Sequence, residues 1–370
     1  MRLGLSGKSK LGINDLPLIG REVALCGSAA LSISMISDRL YFGFWTFPPY
    51  QWLNFNISQD LAIFYGHNRP DYYLTEGLPL LLTTYLPFAL VALVKSTGVS
   101  NDFDTRTANI RYQLAFTVVT TVASLSLISH KEVRFIYPLL PLLHILLAPH
   151  ISNFFRMGEL PAPASGGLNN LPGKPQRKTP PLRRLLLTLL VIANIAISGY
   201  LTLVHQRGVL DVLTFLRSDF ERLHLTARGE PLGNRDKDEI FAAFLMPCHS
   251  TPWRSHLVYP TLNAWALTCE PPLDISAGTP ERAAYRDEAD RFFDNPAGFL
   301  EREVGGRERP WPRYVVGFEG EKGLEDVLTS HVEEKMGGWT LKRKWEGFNS
   351  HFHDDSRRKG KVVVWETAQQ

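Results

Sequence analysis

Cysteine is scarce in this chain, three among 370 residues, and an excess of either charge is scarcer still: 40 Lys and Arg against 37 Asp and Glu give a formal net charge of +3. So small an imbalance makes no electrostatic case for a nucleic-acid partner, and no long basic run with interleaved aromatics supplies one. Nucleotide-binding and metal-binding motifs are missing, and internal repeats are not apparent. Residues 1–21 hold few apolar side chains and scattered Pro and Gly, so no cleavable signal peptide is expected there. A mean hydropathy of −0.09 suits an ordinary soluble protein, but the average hides two unlike halves. Apolar stretches recur from Val23 to Leu203, while His205 to Gln370 is charged and mixed.

That contrast predicts a helical membrane half followed by a soluble domain of about 165 residues, a normal single-domain length. Five spans are expected, at 23–37, 78–94, 114–128, 135–151 and 185–203. The first, third and fourth run to only about 15 to 17 residues, short for a hydrocarbon core of about 30 Å. Such lengths suit a thin membrane or helices shielded within a bundle. Pro138 and Pro141 are expected to kink the fourth span. Between spans four and five, residues 152–184 read as a flexible basic linker rich in Pro and Gly.

Lys and Arg orient the bundle. Arg2, Lys8, Lys10 and Arg21 precede the first span. Lys95, Arg106 and Arg111 follow the second, and Arg156, Lys174, Arg177, Lys178, Arg183 and Arg184 lie around the linker. If all five spans cross, these segments share one side, which the positive-inside tendency makes cytosolic. Residues 1–22 and 152–184 are then cytosolic. Asp38 to Glu76, the turn after the third span and residues 204–370 fall on the opposite, luminal side. Asn56-Ile57-Ser58, an N-glycosylation sequon, lies in a luminal loop on this scheme. Cys26 is expected to be a small packing residue of the first span. Cys248 and Cys269 both fall in the luminal tail, where an oxidising compartment favours a disulfide. The rival reading, a metal site from Cys248, His249, His256 and Cys269, lacks the close Cys-x-x-Cys pairs of structural zinc. Tyr314 to Phe318 and Lys361 to Trp365 read as strands and Asp287 to Phe293 as a helix, which points to a small α/β domain.

The densest chemistry is Ser129-His130-Lys131-Glu132-Val133-Arg134-Phe135, where four ionisable side chains separate two apolar runs. Such a group cannot sit in hydrocarbon and marks a membrane–water boundary. Two readings stand: contacts from His130, Lys131 and Arg134 to an anionic ligand with Glu132 paired to one of them, or an ion-pair cluster that pins the hairpin. Asp38-Arg39 closes the first span, either as a boundary ion pair or with Asp38 as a second acidic group. Arg69 is a weaker candidate for phosphate binding. Trp45, Tyr50, Trp52, Tyr72 and Tyr73 are expected to form an interfacial aromatic belt.

Several segments share one resemblance. His130-Lys131-Glu132-x-Arg134-Phe135 resembles the HKE-x-RF signature of the multi-spanning GT-C mannosyltransferases that use dolichyl-phosphate-mannose in the endoplasmic reticulum. Asp38-Arg39-Leu40-Tyr41-Phe42-Gly43 through Phe55-Asn56 resembles that family's DR-x-[YF]-[YF]-G…FN segment, and Phe64-Tyr65-Gly66 its FYG. Residues 244–253 (FLMPCHSTPW), with Cys269-Glu270-Pro271-Pro272 and Asp287 to Phe293, resemble the luminal tail of the GPI mannosyltransferase III branch. The likeness covers residues 23–320, and the tail is its specific part.

The resemblance implies a GT-C-like multi-pass protein of the endoplasmic reticulum membrane. It implies transfer of the third mannose, in α-1,2 linkage, from dolichyl-phosphate-mannose to a GPI precursor lipid, without a cofactor. It also implies donor-phosphate contacts from His130, Lys131 and Arg134, supported by Glu132 and Arg39. The family's acidic HPDE-like motif has no counterpart here, since Asn68-Arg69-Pro70-Asp71 matches it only superficially. The chain therefore resembles the carboxy-terminal part of these enzymes. No catalytic residue is assigned, with Asp38 the remaining acidic candidate. Two alternatives are a mannosyltransferase of another lipid-linked oligosaccharide and a truncated, non-catalytic lipid-sugar binder.

Overall fold

The computed structural model describes residues 16–97, 105–156, 181–226, 239–307, 309–320, 323–353 and 355–369. The chain divides into two compact units, 1–194 and 195–370. Most of the expected amino-terminal segment and the centre of the basic linker, with Lys174, Arg177 and Lys178, lie outside the described residues.

The first unit is helical. The helix Leu16–Phe42 runs 27 residues, about 40 Å at 1.5 Å per residue, well beyond the apolar core 23–37 expected from hydropathy. None of its residues is buried. Cys26 is exposed rather than packed, because no described element covers its helix. The next expected span is broken. Leu78–Leu82 and Leu86–Thr97 are separate helices, divided at Thr83, whose φ of +47° is foreign to a helix. Asn194 bridges the break: Thr83 Oγ1 donates to its Oδ1 at 2.6 Å and its Nδ2 donates to Thr84 Oγ1 at 2.5 Å. The bridge lets these polar side chains satisfy one another in an apolar setting.

Leu86–Thr97, Thr105–Ser126 and Leu140–Arg156 pack together around Ala89, Ala92, Ala115, Val118, Leu143 and Leu146. Pro138 falls in the tight 3-10 stretch Val133–Leu139. Pro141 follows in the first turn of Leu140–Arg156, where a missing N–H costs little. Pro149 is the proline in the interior of that helix. Among the described residues four segments are long and apolar enough to cross a membrane: Leu16–Phe42, Tyr73–Ser96, Val133–Phe155 and a stretch beginning at Pro181. The last owes its apolar character to the helix Pro181–Leu203. Thr105–Ser126, which carries the third expected span, does not qualify, because its first half includes Arg106, Asn109, Arg111 and Gln113.

The second unit is an α/β domain. Its five strands are β1 (Ile240–Phe244), β2 (Asn263–Ala266), β3 (Tyr314–Phe318), β4 (Trp339–Gly347) and β5 (Val362–Gln369), in the order β2-β1-β3-β5-β4. β1 pairs in parallel with β2 and β3, and β5 runs antiparallel to β3 and β4. The two-residue period divides the apolar side chains between the faces. Tyr314, Val316, Phe318, Val362 and Val364 meet the helix Gly208–His224. Val315, Val363 and Trp365 meet Glu288–Asp294, Pro296–Glu303 and Leu324–Lys335. Gly317 gives the Trp365 ring its place, since a Cβ there would stand 3.1 Å from it. Asp287 and Asn295 cap their helices by accepting from the N–H of Asp290 and Gly298. The first caps the run read as a helix from its sequence.

Candidate functional site

The helix Thr105–Ser126 ends where Leu127, Ile128 and Ser129 turn the chain, and this turn is built jointly with residues 60–71. Asn68 N–H donates to the Ser129 carbonyl at 3.0 Å, and Lys131 N–H donates back to Asn68 Oδ1 at 2.8 Å. Ser129 Oγ donates to Asp60 Oδ1 at 2.7 Å, while Asp60 adopts a left-handed backbone with φ +46°. That conformation suits Asp better than most residues and recurs at sites held by their surroundings.

The four ionisable side chains divide in role. Lys131 is 4% exposed; its Nζ donates to the Ile128 carbonyl at 2.6 Å and to the Asn68 carbonyl at 3.2 Å. It ties the turn after the helix Thr105–Ser126 to Asn68, and burial lowers its pKa. Glu132 clamps two neighbours. His130 Nε2 donates to Oε1 at 2.9 Å, Arg134 donates to Oε1 at 2.6 Å, and a second, very close contact joins Arg134 to Oε2. Burial raises the Glu132 carboxyl, but the hydrogen bonds from His130 and Arg134 outweigh it and hold it below the ordinary carboxylate range. His130 Nδ1 faces the Gly66 carbonyl at 3.2 Å. A neutral imidazole has one N–H and can serve one of these two acceptors. Arg134 keeps 68% of its side chain exposed, so the guanidinium faces outward while anchored from behind.

Arg69 is equally exposed and paired with Asp71 at 2.6 Å. The pair holds the Asp71 carboxyl low through the hydrogen bond from Arg69. Asp38 accepts from Ser34 one helical turn back at 3.5 Å. Among the described residues no hydrogen bond or ion pair brings Asp38 or Arg39 to the His130 turn, because both belong to the uncovered helix Leu16–Phe42. Trp45, Tyr50 and Trp52 are exposed, but Tyr73 is fully buried, contrary to its place in an aromatic belt. Its ring turns into the bundle where Gly77 leaves room, since a Cβ on Gly77 would lie 2.8 Å from it.

Sequence reasoning missed Asn68, Asp60 and Ser129 as partners of the turn. The available signal was the run Gly66-His67-Asn68-Arg69-Pro70-Asp71, rich in residues that bend chains, ahead of an apolar stretch. In the second unit, Cys248 and Cys269 form a disulfide with Cα atoms 6.1 Å apart, which leaves neither sulfur as a thiolate ligand. His256 Nδ1 lies 3.2 Å from the Pro252 carbonyl.

The model of the Alg9-like mannosyltransferase family matches residues 7–258. GPI mannosyltransferase 3 of Gibberella zeae is 46% identical over 99% of this chain and 59% of its own length. GPI mannosyltransferase 3 of Emericella nidulans is 44% identical over 94% of this chain and 53% of its own. GPI alpha-1,2-mannosyltransferase 3 of Bos taurus is 31% identical over 95% and 53%. The chain thus spans between half and three-fifths of the length of these curated relatives. No solved structure matches it. With a family match over more than half its residues and such identities along nearly all of it, the chain belongs to the Alg9-like mannosyltransferase family.

Proposed function

We propose that this protein works in the transfer of the third mannose of a GPI anchor, in α-1,2 linkage, from dolichyl-phosphate-mannose to a GPI precursor in the endoplasmic reticulum membrane. Relatives named GPI mannosyltransferase 3 and GPI alpha-1,2-mannosyltransferase 3, at up to 46% identity, support the reaction. The observation that carries the site is the braced turn, in which Glu132 holds His130 and Arg134 after the helix Thr105–Ser126 while Lys131 is consumed in building it. In this reading Thr105–Ser126 crosses the membrane as well, and the turn lies on the luminal face. Arg134 binds the donor phosphate, and His130, Lys131, Glu132 and Asn68 position it. Transfer needs cationic hydrogen-bond donors on a phosphate leaving group, whose charge grows as the sugar departs. A bidentate guanidinium suits that oxygen geometry. The acid or base that activates the acceptor hydroxyl is not assigned.

The test is expression in a yeast strain lacking its third-mannose transferase, with the lipid intermediates analysed. Precursors carrying three mannoses support the reading. Retention of two-mannose precursors by cells whose membranes contain the folded protein, together with no cross-linking of a photoreactive dolichyl-phosphate-mannose near Arg134, contradicts it.

A further inference from the structure

After β4 the chain forms a loop, 348–353, in which the usual pattern of burial is inverted. Asn349 is 2% and Ser350 8% exposed, while Phe348 is 45% and Phe352 71% exposed. Hydrogen bonds build the inversion in. Arg207 N–H donates to the Asn349 carbonyl at 3.1 Å, and Asn349 Nδ2 donates to the Arg358 carbonyl at 3.2 Å. Ser350 Oγ lies 2.7 Å from His205 Nδ1 and accepts the Phe352 N–H at 3.2 Å. Gly208 admits the Phe348 carbonyl, since a Cβ there would stand 2.8 Å from it. A loop held this way buries its polar groups and presents two phenylalanines, which is unfavourable against water and favourable against an amphipathic surface.

The apolar helix Pro181–Leu203 identifies that surface. Its 23 residues extend about 34 Å at 1.5 Å per residue, against a hydrocarbon core of about 30 Å. When it crosses, its last turn stands at the edge of the core. Leu201 and Leu203 are exposed there, and lipid that covers them reaches the level of the loop. Tyr200 belongs to the same turn. Its hydroxyl meets His351 Nδ1 at 3.1 Å, and its ring lies 5.9 Å from the His351 ring and 6.1 Å from that of Phe352. The His351 ring in turn lies 4.8 Å from that of Phe348. These contacts fix the loop's depth and gather its rings at the boundary between hydrocarbon and headgroups, where aromatic side chains are favoured.

We propose that loop 348–353 is a membrane-binding surface: Phe348 and Phe352 insert at the headgroup boundary beside the last turn of Pro181–Leu203 and hold the α/β domain against the bilayer. The proposal rests on that helix crossing the membrane and needs nothing of the transfer reaction proposed above.

The full chain carrying Cys26→Ser, in phosphatidylcholine nanodiscs, is spin-labelled one site at a time at Phe348→Cys, Phe352→Cys, Ile195→Cys within the helix and Glu333→Cys on the domain surface. All four side chains are exposed, so the labels displace no packing. Collisions with oxygen, which concentrates in lipid, and with a water-soluble nickel chelate report depth. The labels at 348 and 352 should lie about 5–10 Å inside the headgroup boundary, with the label at 195 deeper and the label at 333 in water. Chelate access at 348 and 352 equal to that at 333 overturns the proposal. Exclusion of both reagents from the loop also overturns it, because protein rather than lipid would then cover the two rings. Chelate access at 195 removes the crossing helix, and the proposal with it, while the transfer reaction keeps its own test.

Discussion

The side-chain carbonyl of Asn68 accepts the backbone N–H of Lys131 at 2.8 Å, and the Lys131 ammonium returns to the Asn68 backbone carbonyl at 3.2 Å. Two segments far apart in the chain thus close on one another, and the cations of the turn separate into a buried brace and an exposed hand. Lys131→Met strands the Ile128 and Asn68 carbonyls in a buried setting, at a cost of about 1–3 kcal/mol. Arg134→Gln, on the exposed side, should change stability by less than about 1 kcal/mol. Thermal unfolding in detergent measures both; equal losses would remove the distinction.

Asn194→Leu tests the bridge across the broken helix. Thr83 and Thr84 would lose their shared partner inside the bundle, at a cost of about 1–2 kcal/mol. Unfolding in bicelles should show the loss, and a double-mutant cycle with Thr84→Val should show it to be largely shared.

In the second unit Tyr314 donates to Asp219 Oδ2 at 2.5 Å, and Arg222 pairs with the other carboxylate oxygen. Burial raises the Asp219 carboxyl, but these two donors outweigh it and leave its pKa lowered. A carboxylate lowered on folding contributes stability above its unfolded value, and that contribution is lost as pH falls through the folded value. Tyr314→Phe should destabilise by about 1–3 kcal/mol at neutral pH, with the gap to the parent protein closing under acid. A gap independent of pH would assign the loss to packing alone.

Removing the disulfide with Cys248→Ser and Cys269→Ser should cost about 2–4 kcal/mol, read as a lower unfolding temperature in non-reducing buffer. Reductant should bring the parent protein to the same value.

Much of the architecture was legible because apolar runs and their periods report burial directly. β3 at Tyr314–Phe318 and the helix after Asp287 coincide with segments read from the sequence as a strand-like run and a helix-like run. Where a helix ends was harder to see. Leu16–Phe42 and Thr105–Ser126 extend past their apolar runs, since polar residues can continue a helix without raising hydropathy. The break at Thr83 was hidden because its polar partner, Asn194, is remote in sequence. Of the site, the histidine-led turn announced itself by its charge density. That Lys131 faces inward could not be read locally, because its acceptors come from the preceding turn and from Asn68.

The sharpest test is the affinity of the full chain for dolichyl-phosphate-mannose in nanodiscs, compared with Arg134→Gln and Arg39→Gln. A loss of about tenfold for Arg134→Gln, with Arg39→Gln near the parent value, is the expected result. Unchanged affinity in a folded Arg134→Gln protein would contradict a donor phosphate held at this turn.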